Sequence, residues 1–319
     1  LPGLLAFPLG AVDLVRGGAP AAVIEIAPEA TAADRFAAAE LSALLKQMTG
    51  AELPVKTGGD DGAEDRIRVG AAAGLNDWRG TDEVRITTPD EHTLLIAGEG
   101  TRGTLYAVYT LLEELGARFY APDCTVLPHG ADLKLERVDY RYRPPFAYRE
   151  GHGELVNANP LLSARWRLNG AMYRSGLTDE LGGSYPMDMT HSLINQFLKP
   201  ADFFAAHPEW YSLNAATGER RPTQLCLSNP EARAELVREV RAKLAANPGL
   251  PFVAIGGADN NQYCECADCR AQVAAHGTPA APYLAAANEV ARAIRADYPK
   301  TQVMFQAYWM TERPPEKLT

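Results

Sequence analysis

The sequence predicts an α/β protein. A small α+β N-terminal domain over residues 1–143 is followed, over 144–319, by the front part of a (β/α)8 barrel of the TIM type. Three observations carry this. From residue 146 onward short apolar runs alternate with helical stretches, the pattern of a parallel sheet. Pro144-Pro145 breaks regular structure ahead of that pattern. Upstream of the break the order is strand, helix, strand, strand, helix, which gives a small sheet with helices on one face.

The first domain is built as follows. Ala21 to Ile26 is a β-branched run that predicts a strand. Thr31 to Met48 predicts a helix with Leu41, Leu44, Leu45 and Met48 on one face, Thr31 as its cap and Gly50 as its stop. Arg66–Val69 and Glu83–Thr87 predict strands, and Thr93–Ala97 pairs with the latter across the Pro89-Asp90-Glu91 turn. A second helix spans Arg102 to Leu115, with Leu105, Val108, Tyr109, Leu112 and Leu115 as its apolar stripe and Gly116 ending it.

The second domain opens with Phe146–Arg149 as a first strand ending at Glu150, then a short helix from Pro160 to Asn169. Met187–Ser192 lies near the end of a second strand, and a helix over Ala201–Ala206 leads into a loop or hairpin turning at Gly218. Thr223–Leu227 is a third strand. Asn229 or Ser228 caps the helix that follows and runs to Ala246, with proline in its first turn. Phe252–Ile255 is the fourth strand, Tyr283–Tyr298 a helix and Gln302–Trp309 the fifth strand. About five βα units fit where a closed barrel needs eight. The chain stops at Lys317-Leu318-Thr319, so the natural protein is expected to be longer.

Composition narrows the function classes. The chain has 319 residues, 46% apolar and 22% charged, with a net charge of −9 and no basic run. That argues against nucleic acid or an anionic membrane as partner and fits a neutral polymer. No apolar run approaches the ~20 residues that span a bilayer. Leu1 in place of Met predicts a processed or trimmed N-terminus. Of five cysteines, Cys264, Cys266 and Cys269 lie within six residues, which predicts a local site. Cys226, at the end of the neighbouring third strand, would complete a set of four. Two readings stay open: a structural zinc site of four thiolates, or one or two disulfides with Cys226 as a partner. Cys124 stands apart as a buried apolar side chain.

Two resemblances add a functional context. Residues 102–128, RGTLYAVYTLLEELGARFYAPDCTVLP, resemble the end of the N-terminal domain of bacterial α-glucuronidases and β-hexosaminidases, which precedes a (β/α) barrel. The stretches HPEWYSL with GERR, QLCLSNPE, DNNQYCECADC and NEVARAIRADYP, in this order, resemble the bacterial family called domain of unknown function 4838. Some of its members are endo-acting β-N-acetylglucosaminidases. The resemblance implies a secreted or periplasmic glycoside hydrolase acting on complex glycans, with a carbohydrate polymer or glycoprotein glycan as partner. No cofactor is required for such catalysis. The alternatives are an α-glucuronidase-like hydrolase and a non-catalytic carbohydrate-binding protein.

Barrel chemistry sits at the carboxyl ends of the strands, and this selects the candidates. Glycoside hydrolysis needs an acid and a second group acting as nucleophile, base or acetamide-positioning residue. Asp259 stands where a fourth-strand catalytic carboxylate belongs. Hexosaminidases carry adjacent Asp and Glu there, whereas here Asn260 follows, which leaves the acid unassigned. Glu150, at the first strand end, is the next catalytic candidate. Asp188, His191 and Asn260 are candidate substrate ligands, and Trp309 is a candidate stacking platform for a sugar face. Arg149 and Arg174 are the cations that an α-glucuronidase reading would need for its uronate.

Overall fold

The structure, a computed structural model, describes residues 12–58, 64–170, 176–188 and 190–316. The predicted features at Leu1, Arg174 and Lys317–Thr319 lie outside these, as does Met189 within the predicted second strand. Two compact units divide the chain, Leu1–Tyr185 and Pro186–Thr319.

The first unit contains β1 Val12–Arg16, β2 Ala19–Pro20, β3 Ala22–Ile26, α1 Ala32–Thr49, β4 Val55–Thr57, β5 Asp65–Val69, β6 Val84–Thr87, β7 Thr93–Gly98 and α2 Gly103–Glu114. It continues with β8 Arg118–Ala121, β9 Cys124–Val126, β10 Leu133–Leu135, β11 Asp139–Tyr142, α3 Glu154–Asn157 and α4 Pro160–Arg165. Six strands form one sheet in the order β11, β6, β7, β5, β3, β4. Its β4, β3, β5 and β7 run parallel, while β6 and β11 add antiparallel edges. Both predicted helices are present, and α1 packs against α2. Thr31 closes a capping box with Asp34, its hydroxyl accepting from the Asp34 N–H at 3.1 Å, and Gly50 ends α1 at φ 82°.

Helix α2 is buried along the whole of Gly103–Leu112, not on one stripe. Residues that the sequence assigned to the second domain pack on it: Tyr106 Oη donates to the Leu168 carbonyl at 3.2 Å, and Arg167 bonds Thr110 and Glu113. Trp166 Nε1 donates to the Phe119 carbonyl of β8 at 2.6 Å. The two compact units divide at 185/186.

The predicted strand at Phe146–Arg149 is not formed. Arg149 donates to the carbonyls of Phe146 and Ala147, and Asn169 holds the Arg149 N–H and the Ala147 carbonyl. Side chains thus satisfy the backbone groups that a ladder would have used.

A close approach joins β7 to α2. A Cβ on Gly98 would lie 2.0 Å from the Gly103 carbonyl carbon, which is backbone and cannot swing aside. Gly98→Ala is expected to cost at least about 1–3 kcal/mol, the usual range for overpacking. A urea melt checks this, and a loss below about 0.5 kcal/mol would contradict so tight a contact.

The second unit contains a π-helical turn at Leu193–Phe197, α5 Pro200–Phe203, β12 Tyr211–Leu213, β13 Arg220–Leu225, α6 Pro230–Ala246, β14 Phe252–Ile255, α7 Ala267–His276, α8 Ala280–Ile294 and β15 Gln302–Phe305. The fourth strand has its predicted bounds. It pairs in parallel with β15, Phe252 opposite Gln302 through Ile255 opposite Phe305. Helices α6 and α8 bury Leu236, Val240, Leu244, Val290 and Ile294 in a core shared with Val253 and Ile255. The third strand is one arm of an antiparallel hairpin with β12, turning at Gly218 with φ 72°. Among the described residues the strands of this unit form one parallel pair and one hairpin, and no closed barrel.

The second predicted strand is also replaced. Along the other edge of β14, Asp188 Oδ2 accepts from the Ala254 N–H at 3.0 Å, and the Ser192 hydroxyl donates to the Ala254 carbonyl. Ser192 also accepts from Gly256, whose carbonyl takes the Leu193 N–H at 3.1 Å. Two polar side chains stand in for a strand, which explains why a polar stretch covers one whose Val253, Ala254 and Ile255 are buried.

Candidate functional site

Polar and aromatic side chains gather at the carboxyl ends of β14 and β15. The chain leaves β14 through Gly256-Gly257 because no side chain fits there: a Cβ on Gly256 would lie 1.9 Å from the Thr190 carbonyl. Gln224, wholly buried on β13, then fastens the loop. Its amide accepts from the Ala258 N–H at 3.0 Å and donates to the Ala258 and Asn260 carbonyls at 2.8 and 3.2 Å. The Tyr283 hydroxyl donates to the same Gln224 oxygen, and complete burial keeps that phenol well above its ordinary pKa.

After β15 the chain forms a tight turn. The Thr311 hydroxyl donates to the Gln306 and Tyr308 carbonyls, and the Tyr308 N–H donates back to it at 3.1 Å. This holds Trp309 at φ 55°, a left-handed conformation that bulky residues rarely adopt. Trp309 therefore sits in a 3-10 turn at Trp309–Thr311, four residues beyond the end of β15, and not at a strand end. Its side chain is 49% exposed and that of Tyr308 42%.

Gly257, Ala258, Asn260, Gln306, Tyr308 and Trp309 line one recess. The imidazole of His191 joins it through Tyr308, edge-on with ring centres 6.1 Å apart. His191 Nδ1 donates to the Gly257 carbonyl at 2.8 Å, which leaves Nε2 as the acceptor of the neutral ring. Gln306 Oε1 is buried and lacks a hydrogen-bond donor among the described residues. Such an acceptor costs about 1–3 kcal/mol unless something fills it.

Of the predicted residues, the structure brings together His191, Asn260 and Trp309 around this recess. Asp259 lies between Ala258 and Asn260 with its side chain exposed. Asn260 is itself held, its side chain accepting from Gln224 and donating to the Thr223 carbonyl, both at 3.2 Å.

Asp188 is 4% exposed, and its carboxylate takes the Ala254 N–H, the Gln196 amide and the Lys243 ammonium. These contacts tie it to β14 and α6. Arg149 and Glu150 belong to the first unit. Arg149 is committed to Asp82 at 2.6 Å and to the Arg167 and Phe146 carbonyls, so it is not an open uronate site. Glu150 is half-buried against the Tyr148 hydroxyl.

Tyr308, like Trp309, is an aromatic that the sequence offers for stacking on a sugar face, whereas Gln224 and Gln306 carry no sequence signal. Gln306 is within the predicted fifth strand, where position alone gives no reason to single it out.

The cysteines form a second constellation in the same unit. The Sγ atoms of Cys226, Cys264, Cys266 and Cys269 all lie within 4.8 Å of one another, and none is in a disulfide. Cys266 caps α7, and its sulfur accepts from the Cys269 N–H at 3.5 Å. Hydrogen bonds from Cys264 and Cys269 hold the Cys226 thiol well below the ordinary range, while the same contact pushes Cys264 up to about 11. Cys124, in β9 of the first unit, is exposed and not a buried apolar side chain; β8 and β9 form a two-stranded hairpin of their own.

The model of a family described as domain of unknown function DUF4838 matches residues 119–319. The chain belongs to that family. The DUF4838 match begins inside β8, so it includes the end of the first unit as well as the whole of the second. No curated protein sequence matches the chain. In solved structures, this DUF4838 chain is similar to a Streptomyces plicatus β-hexosaminidase in complex with GlcNAc, with 18% identity and a TM-score of 0.43, over 93% of this chain and 63% of that one. A family GH115 4-O-methyl-α-glucuronidase, BtGH115A, with specificity for decorated arabinogalactans, gives 13% and 0.49, over 90% and 41%. The Flavobacterium johnsoniae chitobiase gives 13% and 0.47, over 94% and 51%. The chain spans less than two-thirds of the length of each. No helix among the described residues is long and apolar enough to cross a membrane.

Proposed function

We propose that this DUF4838 protein is a secreted or periplasmic glycoside hydrolase acting on complex glycans, of the endo-β-N-acetylglucosaminidase kind, and that the sugar sits at the carboxyl ends of β14 and β15. The exposed Tyr308 and Trp309 at the lip of the recess carry this reading. A sugar offers an apolar face for an aromatic platform and hydroxyl and acetamide N–H donors for an acceptor beside it. His191 Nε2 is such an acceptor, and Asp259, exposed in the loop, is the carboxylate available for proton transfer or acetamide positioning. The resemblance of residues 102–128 to domains that precede glycosidase barrels supports the same context.

The test is incubation of the full natural protein with N-glycoproteins and glucuronoxylans, followed by mass analysis of released sugars. Release from N-glycoproteins is expected, with Asp259→Asn lowering kcat by about 10²–10⁴, the usual range for a general acid–base group. Trp309→Ala is expected to raise KM. Uronate release alone would replace this reading with an α-glucuronidase.

One observation favours a non-catalytic binding protein. Asn260, where a second carboxylate would complete an acidic pair, is held by Gln224 and Thr223 as a structural amide. Saturable glycan binding with no product, unaffected by Asp259→Asn, would establish that alternative.

A further inference from the structure

We propose that Cys226, Cys264, Cys266 and Cys269 hold one zinc ion as a structural tetrathiolate site, clamping the β12–β13 hairpin to the loop between β14 and α7. The sulfur positions carry this. Cys226 Sγ is 3.7 Å from Cys266 Sγ and 4.0 Å from Cys269 Sγ. A tetrahedral ion with zinc–sulfur bonds of about 2.3 Å sets its sulfurs about 3.8 Å apart. A disulfide would bring one pair to about 2.05 Å. Three of the cysteines are buried and Cys266 is half-buried, so the set is closed, with no face for a substrate or catalytic water.

The surroundings suit sulfur that carries negative charge. The Leu213 N–H points at Cys264 Sγ at 3.4 Å, and the Cys269 N–H at Cys266 Sγ at 3.5 Å. The Ser228 hydroxyl lies 3.2–3.3 Å from three of the sulfurs, and an Arg220 N–H is 3.8 Å from Cys264. Zinc bound by four thiolates makes a doubly negative complex, and whatever thiol protons remain go to solvent as it enters. These donors and the guanidinium of Arg220 stabilise that charge from the second layer.

The ligands come from three segments. Cys226 follows β13, Cys264 and Cys266 end the strand-end loop, and Cys269 lies in the first turn of α7. The hairpin and the loop share one backbone bond in this region, Glu265 N–H to the Leu213 carbonyl at 2.9 Å, and the Glu265 carboxylate accepts from Ala215. A metal bonded to both sides would fix this junction far more firmly than those contacts. The proposal concerns binding and bracing alone and stands apart from the glycosidase reading.

The protein purified in mild reductant without chelator is expected to contain one zinc per chain, with all five cysteines of the sequence titrating as thiols after unfolding in chelator. Cobalt exchanged for zinc is expected to show thiolate-to-metal charge transfer and the intense visible bands of tetrahedral coordination. Cys266→Ser is expected to lose the metal and Cys124→Ser to keep it. Removing zinc from the wild-type protein is expected to speed amide exchange at Leu213 and Cys269 by at least about tenfold, as local opening becomes easier. The site is overturned by absence of zinc both as purified and after reconstitution, or by two or more missing thiols. Iron in place of zinc overturns the metal assignment, and unchanged amide exchange overturns the clamp.

Discussion

Asp82→Ala is expected to cost the first unit about 3–5 kcal/mol, the loss typical of breaking a buried ion pair from one side. Asp82 has no exposed surface. Its Oδ1 accepts from Arg102 Nε at 3.0 Å, and its Oδ2 accepts from Arg149 Nη2 at 2.6 Å and Asn169 Nδ2 at 2.9 Å. The side chains of Arg102 and Arg149 are only 10% and 15% exposed. Removing the carboxylate leaves both guanidinium groups short of a counter-charge in a place water barely reaches. Asp82 also sits at φ 55°, which aspartate and asparagine tolerate better than alanine does. Asp82→Asn is therefore expected to cost less, since it keeps the backbone conformation and one acceptor. Urea denaturation of both variants checks the order. A double variant with Arg149→Ala should recover part of the loss, because one stranded charge is gone. A loss under about 1 kcal/mol for Asp82→Ala would place the pair among the weak surface bridges and contradict its burial.

Asp188→Ala is expected to cost the second unit a comparable amount, about 3–5 kcal/mol. The aspartate satisfies the N–H of Ala254, itself buried between Val253 and Ile255, and pairs with Lys243 from α6. Deletion orphans a buried backbone donor and strands an ammonium that is only 20% exposed. Asp188→Asn should restore an acceptor for Ala254 but not the charge, and fall between. The two possible roles of Asp188 separate cleanly in this experiment. A bracing residue lowers stability, whereas a substrate ligand would leave the urea midpoint unchanged and alter sugar binding alone.

Both residues bear on how far the sequence could be read. Helix α1 was legible because its signals are local: Thr31 and Asp34 are three positions apart, and Gly50 follows the last apolar contact. Asn229 capping α6 ahead of Pro230, and the apolar run of β14, are local in the same way. Helix α7, ended by Gly277 at φ 75°, carries no apolar stripe that would mark it in the sequence, since Cys269 is its one buried residue. The strands expected at 146–149 and 187–192 failed for another reason. Both stretches lie beside strands or loops whose backbone is bonded by Arg149, Asn169, Asp188 and Ser192, and no periodicity records a side chain that replaces a ladder. Asp82 gave no sequence signal at all, its partners lying 20, 67 and 87 residues away.

The same division runs through the candidate site. By itself the sequence determined the strand carrying Asp259, the grouping of three cysteines near a fourth, and membership of a family, since each is written in contiguous residues. Only the tertiary structure decided which side chains face the recess. It placed Gln306, Tyr308 and Trp309 with His191, and it gave Asp188 and Arg149 partners within the protein itself. Burial and hydrogen bonding are set by residues distant in the chain, and a charged side chain reads the same in sequence whether its partner is a substrate or the protein's own backbone.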